Sequence, residues 1–389
     1  MKRVVFCWEM GGNYGHIAGF VPIYRRLKKQ GVQVFLIVRD TKFIHFLGDD
    51  AKDFCFQAPS PQFIPQQREL YSYADILAYI GYLDAPVLAH YVASWCELIE
   101  HIRPDTIIVD HAPTALLAAR VLNIPTASLD IGFTRPPNDE TFSYYFAERS
   151  APHGKIDQQI LTVVNQVMNN FKAPLLNRST EIVATNQPFL CSFEETDHYG
   201  PRTNTTYVGN LFSDDTGQHF DWPTTSEQNI FVYLTAKVKN LAGVVDAIAN
   251  LPGHKLFHLP GVAEESLAHF RGRSDVTLHT KPVQLRYLMQ NVNLVVGQSG
   301  PGLSAQCLIA GKRYVVIPTQ AEQRMLARRL ISQGLAYGID HHKEPNYTQV
   351  LEKTLNCEIL QKNCAAAKEK YRGFNKEEQV EYIVNSILN

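Results

Sequence analysis

"VVFCWEMGGNYGHIAGFVPIYRRLKKQGVQVFLIV", residues 4–38, reads as a strand, a glycine-rich turn, a helix and a second strand. Its two apolar runs, Arg3–Cys7 and Val32–Val38, do not alternate, as expected of parallel strands covered on both faces. Between them Ile17, Phe20, Val21, Tyr24 and Leu27 recur at spacings of three and four, the apolar face of a helix over Ile17–Gln30 that Gly31 closes. Pro22 falls early enough for the first turn or so to accommodate it. Gly11, Gly12 and Gly15 are free to take positive φ and to let another molecule approach the backbone. His16 follows at the helix mouth, where unpaired N–H groups and a partial positive charge gather. The turn does not meet the dinucleotide pattern GxGxxG, and a GGxxGH turn alone is a weak signal. Two readings of His16 stay open: a structural histidine on the core side, or an imidazole at the sheet's carboxyl edge.

The same alternation continues. Further candidate strands are Thr106–Val109, Thr126–Leu129, Glu181–Ala184, Ile230–Leu234, Lys255–Leu259, Val276–His279, Leu294–Val296 and Tyr314–Ile317. Strands alternating with helical patterns predict an α/β protein with parallel sheets. At 389 residues the chain exceeds one ordinary core, so two domains are expected. The break falls in "YVGNLFSDDTGQHFDWPTTSEQ", 207–228, a short strand followed by a polar stretch rich in turn residues. The expected organisation is two Rossmann-like domains facing across a cleft, 1–210 and 229–370, joined by a linker, 211–228. The amphipathic segment 371–389 is expected to dock back on the first domain. Residues 133–180 form an insertion, aromatic and then helical. It has two readings, a ligand-contacting segment at the strand ends or a helix packed on the sheet.

A hydrophobic content of 45%, a charged content of 19% and a net charge of −1 fit a globular protein with no long-range attraction to nucleic acid or anionic lipid. The basic runs "RRLKK" (25–29) and "RMLARR" (324–329) read as solvated helix faces. Seven cysteines without a CxxC argue against a disulfide framework or thiolate zinc site and for a reducing compartment. No leader-like or membrane-spanning apolar run is recognised, so the expectation is a cytoplasmic protein.

The second informative stretch is "VNLVVGQSGPGLSAQCLIAGKRYVVIPTQAEQRMLARRL", 292–330. A buried strand ends in a turn with Gly297, Gly300 and Gly302 around Ser299 and Ser304, and a helix follows. Such a turn is a natural diphosphate cradle, because N–H groups and the helix dipole converge on an anion. Glu322 and Gln323, on the loop after the next strand, are placed to hydrogen-bond hydroxyls.

This pattern resembles the C-terminal signature of nucleotide-sugar glycosyltransferases of the GT-B fold, a glycine turn followed by "aLxxGxPxxxxP" and an acidic residue with Gln. Here it reads "GQSGPGL", "CLIAGKRYVVIP" and "AEQ". "WEMGGNYGH" is similar to the opening "WELGGGxGH" of a bacterial branch, within the UDP-glycosyltransferase and MurG-like superfamily. "PDTIIVDHAPTALLAARVLNIP" (104–125) and "TYVGNL" are similar to further stretches in the same order, so the resemblance spans nearly the whole chain.

The resemblance implies an acceptor-side N-terminal domain and a nucleotide-sugar-binding C-terminal domain. It implies His16 as general base toward an acceptor hydroxyl and Asp110 as the carboxylate that orients it. Ser299, Gly300 and Gly302 match the diphosphate turn, and Glu322 and Gln323 match the pair on donor-sugar hydroxyls. Thr235 matches a small hydroxyl residue near the phosphates, with Lys237 beside it, and Gln284 lies where the base is read. Gln298 stands for the family's phosphate-binding histidine, Leu303 for its threonine and Gln306 for its ribose-binding glutamate. Glu9, Gly12, Asn13 and Gly15 are the acceptor-side loop, with Glu9 a rival base.

The implied reaction is metal-independent, inverting transfer from a nucleotide diphosphate sugar, UDP first and dTDP next, to an unidentified acceptor. It needs no cofactor and no metal site, and the acidic pairs Asp49–Asp50 and Asp214–Asp215 read as solvated loops. No nucleic-acid partner is indicated, a peripheral membrane contact is left open, and a monomer or weak dimer is expected. Two alternatives remain: an epimerase acting on a UDP-sugar without an acceptor, and a nucleotide-sugar-binding protein without turnover.

Overall fold

The computed structural model describes all residues except 13, 60–69, 147–154, 213–216, 224–225, 227 and 344. The chain divides into two units, Met1–Phe212 with Asn375–Asn389, and Ser213–Phe374.

The first unit is built on seven strands, β1 (Arg3–Trp8), β2 (Gln33–Val38), β3 (Cys55–Gln57), β4 (Thr106–Asp110), β5 (Thr126–Asp130), β6 (Gln187–Leu190) and β7 (Thr206–Tyr207). All neighbouring pairs are parallel, in the order β3-β2-β1-β4-β5-β6-β7. Alternate residues of β1 serve opposite cores. Val4, Phe6 and Trp8 meet Ile17, Phe20, Val21, Tyr24 and Leu27 of the helix Gly15–Lys29. Val5 and Cys7 face the other way, into a core with Leu88, Val92, Trp95 and Ile99 of the helix Ala85–Ile102. Burial on both faces is why these strands read as unbroken apolar runs.

The second unit repeats the plan with β8 (Asn229–Tyr233), β9 (His254–His258), β10 (Val276–His279), β11 (Leu294–Gly297), β12 (Arg313–Val316) and β13 (Tyr337–Gly338), ordered β10-β9-β8-β11-β12-β13 and all parallel. In each sheet the strand order reverses at one place, between β1 and β4 and between β8 and β11. Loops there diverge to opposite faces and leave a crevice at the carboxyl edge.

Several expectations need correction. Glu181–Ala184 is not a strand; it belongs to a 3₁₀ helix, Ser179–Val183, and the strand lies at Gln187–Leu190. A short apolar run does not distinguish the two, and Pro188 is a residue that central strands exclude. Pro188 is tolerated because β7 pairs only with Phe189 and Leu190, so that half of β6 has one neighbour. Pro22 lies at the eighth position of its helix rather than near the start, because the helix already begins at Gly15. Its missing N–H leaves the Ala18 carbonyl without the usual helical donor. The strands β3 and β13, three and two residues long, are too short to carry a periodic signal.

The helix Lys376–Leu388 belongs to the first unit. The Asn375 side chain caps it by accepting from the Glu377 N–H at 3.0 Å, and Gln187 Nε2 donates to the Ser386 carbonyl at 2.8 Å. Val380, Ile383, Val384 and Ile387 complete the core on the face of Phe6 and Phe20. Ile383 is fully buried, so Ile383→Ala should cost about 2–5 kcal/mol of first-unit stability in urea unfolding, while Tyr382→Ala, on the half-exposed face, should cost clearly less.

Candidate functional site

In the first unit the reversal point puts Trp8 and Asp110 side by side, the last residues of β1 and β4 in register. The chain leaves β1 with the Met10 N–H donating to the His111 carbonyl at 3.0 Å. Gly11 follows at φ +82°, where a Cβ would stand 2.5 Å from Nε2 of His16. Both the backbone conformation and the room for the ring therefore require glycine here. His16 is the second residue of its helix. Its Nδ1 lies 2.8 Å from Oδ2 of Asp110, and its ring stacks on Trp8 with centroids 4.9 Å apart. A carboxylate can only accept, so Nδ1 carries the proton and the lone pair sits on Nε2. The two side chains are 17% and 12% accessible, so the pair is neither sealed in the core nor out on the surface.

The other acceptor-side residues are placed unevenly. Gly12 is exposed, with open space where a Cβ would stand, and a Cβ at Gly15 would only touch Phe212 at 3.7 Å. Asn13 lies outside the described residues. Glu9 is not a rival base: its side chain is completely buried, and its carboxylate accepts the Thr114 N–H at 2.8 Å at the start of the helix Pro113–Leu122. Burial pushes its carboxyl up to about 7, against the hydrogen bonds from Thr114 and Ala115. The insertion is likewise partly core. Phe142 packs on Tyr73 and Tyr145 on Phe133, leaving Phe133, Tyr144 and Phe146 half-buried.

In the second unit the reversal point is bridged by Gln298, the residue after β11. Its Oε1 accepts the Thr235 N–H at 3.1 Å and its Nε2 donates to Thr319 Oγ1 at 2.9 Å, so one amide ties the ends of β8, β11 and β12. Gln323 Oε1 in turn accepts the Thr319 N–H at 2.9 Å. Ser299 is turned inward, at φ +54°. Its single hydroxyl hydrogen is shared between the Gln298 and Gln323 carbonyls, and its N–H donates to Tyr314 Oη at 3.0 Å. The expected contact of Ser299 with a diphosphate is thereby corrected, since its donors are spent inside the protein. Gly297 permits this packing, because a Cβ there would meet Leu303 and Tyr314 at 2.8 and 2.9 Å.

Gly300 is the N-cap of the helix Pro301–Ala310, with no side-chain cap, and Gly302 is in its first turn. Gln306 is half-buried one turn further on. Glu322 is half-buried in the first turn of the helix Ala321–Ser332 and accepts from Gln320 at 3.3 Å. Thr235, Gln298, Ser299 and Gln323 are thus joined by hydrogen bonds. Lys237 is exposed two residues after Thr235, and Gln284 is tied through its N–H to the Gln218 carbonyl. Sequence reasoning overlooked Trp8, His111, Thr319 and Tyr314. Each acts through a long-range contact that no local pattern announces.

Among the described residues no group of three or more His, Cys, Asp and Glu side chains could hold a metal ion, and no helix is long and apolar enough to cross a membrane.

The fold is shared with solved glycosyltransferases of the GT-B class. Glycosyltransferase VinC in complex with dTDP matches with a TM-score of 0.70 at 13% identity, over 99% of each chain. The spinosyn rhamnosyltransferase SpnG complexed with thymidine diphosphate matches at 0.66 and 15%, over 98% of this chain and 100% of that one. SpnG complexed with spinosyn aglycone matches at 0.66 and 14%, with the same coverage. At such identities the likeness is one of fold. No family model and no curated protein matches the sequence.

The buried Glu9 sets a pH dependence. Its folded carboxyl titrates at about 7, against an ordinary value of 4.5, so between those values the unfolded chain releases a proton that the folded one keeps. Stability is therefore full below the lower value and falls as pH rises through the window, by an amount on the order of 3 kcal/mol. Glu9→Gln, which still accepts from Thr114, should remove this component. Chemical unfolding from pH 4 to 8 should show a shallower decline in the variant than in the parent.

Proposed function

We propose that the protein is a glycosyltransferase that moves a sugar from a pyrimidine nucleoside diphosphate sugar to an acceptor hydroxyl, with His16 as general base and Asp110 as its orienting carboxylate. The observation that carries this reading is the 2.8 Å Nδ1–Asp110 bond at the end of β4, which sets the tautomer with a basic Nε2 on a partly accessible ring. The acceptor O–H proton passes to Nε2 as the oxygen forms its bond to the anomeric carbon. The bond from that carbon to the diphosphate oxygen breaks, and the diphosphate leaves with the electron pair. A single displacement of this kind inverts the anomeric centre.

The growing charge on the leaving group would be met by the N-terminus of the helix Pro301–Ala310, whose backbone donors need no reorganisation during reaction. Gln298 spends one amide hydrogen on Thr319 and retains a second. The dTDP and thymidine diphosphate in the VinC and SpnG structures put thymidine beside uridine as the nucleoside to test. Glu322 and Gln323 are assigned to the donor sugar, and the acceptor to the first unit, with Gly12 and the half-buried Phe133, Tyr144 and Phe146 as contacts.

Two experiments test the assignment. His16→Ala should lower transfer by about 10²–10⁴-fold while calorimetric binding of UDP or dTDP is unchanged. Retained turnover removes His16 from the chemistry. Gly300→Asp probes the diphosphate end. Position 300 has open space and an ordinary negative φ, and aspartate is a favoured N-cap only slightly better than glycine, so stability should hold or rise by roughly a few tenths of a kcal/mol. The added carboxylate should nonetheless weaken nucleoside diphosphate binding at least tenfold; unchanged binding places the diphosphate elsewhere.

A further inference from the structure

His111, the residue after Asp110, is held in the left-handed region at φ +49°, a conformation uncommon for any residue but glycine, though histidine adopts it more readily than most. A non-glycine residue keeps such a conformation only where its surroundings over-determine it. The surroundings here are Asp130, the last residue of β5 and 4% exposed. Asp130 Oδ1 accepts the His111 N–H at 3.0 Å and the Thr134 hydroxyl at 3.1 Å. The carbonyl of the same His111 accepts the Met10 N–H, one residue before the Gly11 that encloses the His16 ring. One clamped residue thus controls both Asp110 and Gly11, which meet the imidazole from two sides.

We propose that Asp130 is a positioning residue, whose clamp on the turn at His111 holds the Asp110 carboxylate against His16 and which adds a second carboxylate behind it. As a role in catalysis this rests on His16 being the base, while the clamp itself is a property of the fold. The charged and titratable groups facing Asp130 are Asp110 from β4, His111 from the turn, Arg135 after β5, Cys191 after β6, and Tyr73. Burial first, and then the charge of Asp110, push the Asp130 carboxyl up to about 7. Near neutrality it therefore changes charge behind the His16–Asp110 pair. Ionised, it favours the imidazolium; protonated, it does not.

The test reads the imidazole directly, without donor or acceptor. Histidine-labelled protein is titrated by NMR, with His16→Ala to assign the His16 ring signal. In the parent, His16 should follow a two-step curve with a step near pH 7. Asp130→Asn keeps the Oδ1 acceptor but cannot ionise, so its curve should collapse to one step at lower pH. Asp130→Ala removes the acceptor and should also abolish the low-field Nδ1 proton signal of the bond to Asp110. If Asp130→Ala does not fold, Asp130→Asn still tests the second carboxylate. Superimposable His16 titrations in the parent and Asp130→Asn overturn that half of the proposal, and an unchanged Nδ1 proton signal in Asp130→Ala overturns the clamp. A parent protein that transfers no sugar overturns the enzyme reading instead and leaves these titrations interpretable.

Discussion

A 2.8 Å hydrogen bond from His16 Nδ1 to Asp110 Oδ2 joins a helix N-terminus to a strand end 94 residues away in sequence. It is available only because β1 and β4 are neighbours at the place where the strand order reverses, so Trp8 and Asp110 end in register. The imidazole lies in the gap between the strand ends and the helix that returns over the sheet. Trp8 walls one face, Asp110 sets the tautomer, and the absent side chain of Gly11 makes the room. The proposed chemistry follows from that tautomer, because a base must offer a lone pair and the bond to Asp110 decides which nitrogen has it.

Glu9, Asp110 and Asp130 stand at the ends of β1, β4 and β5 in three different settings. Glu9 is sealed and spends one carboxylate oxygen on the start of a helix. Asp110 is partly accessible and faces the ring. Asp130 is sealed behind Asp110 and holds the backbone of the turn. The carboxyl chemistry is the same in all three; hydrogen-bond partners and exposure separate them, as when paired carboxylates divide acid and base duties. The second unit solves the corresponding problem without charge. At its reversal point a glutamine amide spans three strand ends, and Ser299 is drawn inward to close the turn. At the helix mouth that follows, open space surrounds Gly300.

Much of this was legible in the chain. Nine of the ten strands expected from short apolar runs are present, because burial on both faces writes itself into consecutive residues. The exception, Glu181–Ala184, is an apolar run of the same length that a 3₁₀ helix uses equally well. The glycine turns were legible for a related reason, since a tight exit from a strand demands glycine locally. Side-chain direction was not. Serine beside a glycine turn reads as a phosphate ligand, yet Ser299 faces inward because Tyr314, fifteen residues on, offers its N–H a partner. Glutamate on the histidine's loop reads as a base, yet Glu9 caps a helix 105 residues away.

The amino-acid sequence alone determined two parallel α/β sheets and two glycine-rich turns feeding helix N-termini, since periodicity, β-branching and turn chemistry act over a few residues. Tertiary structure alone decided which carboxylate meets the imidazole, that Ser299 at the second turn spends its donors inward, and which residues brace them. Those outcomes depend on strand register, burial and contacts between segments tens of residues apart, and no local pattern encodes them.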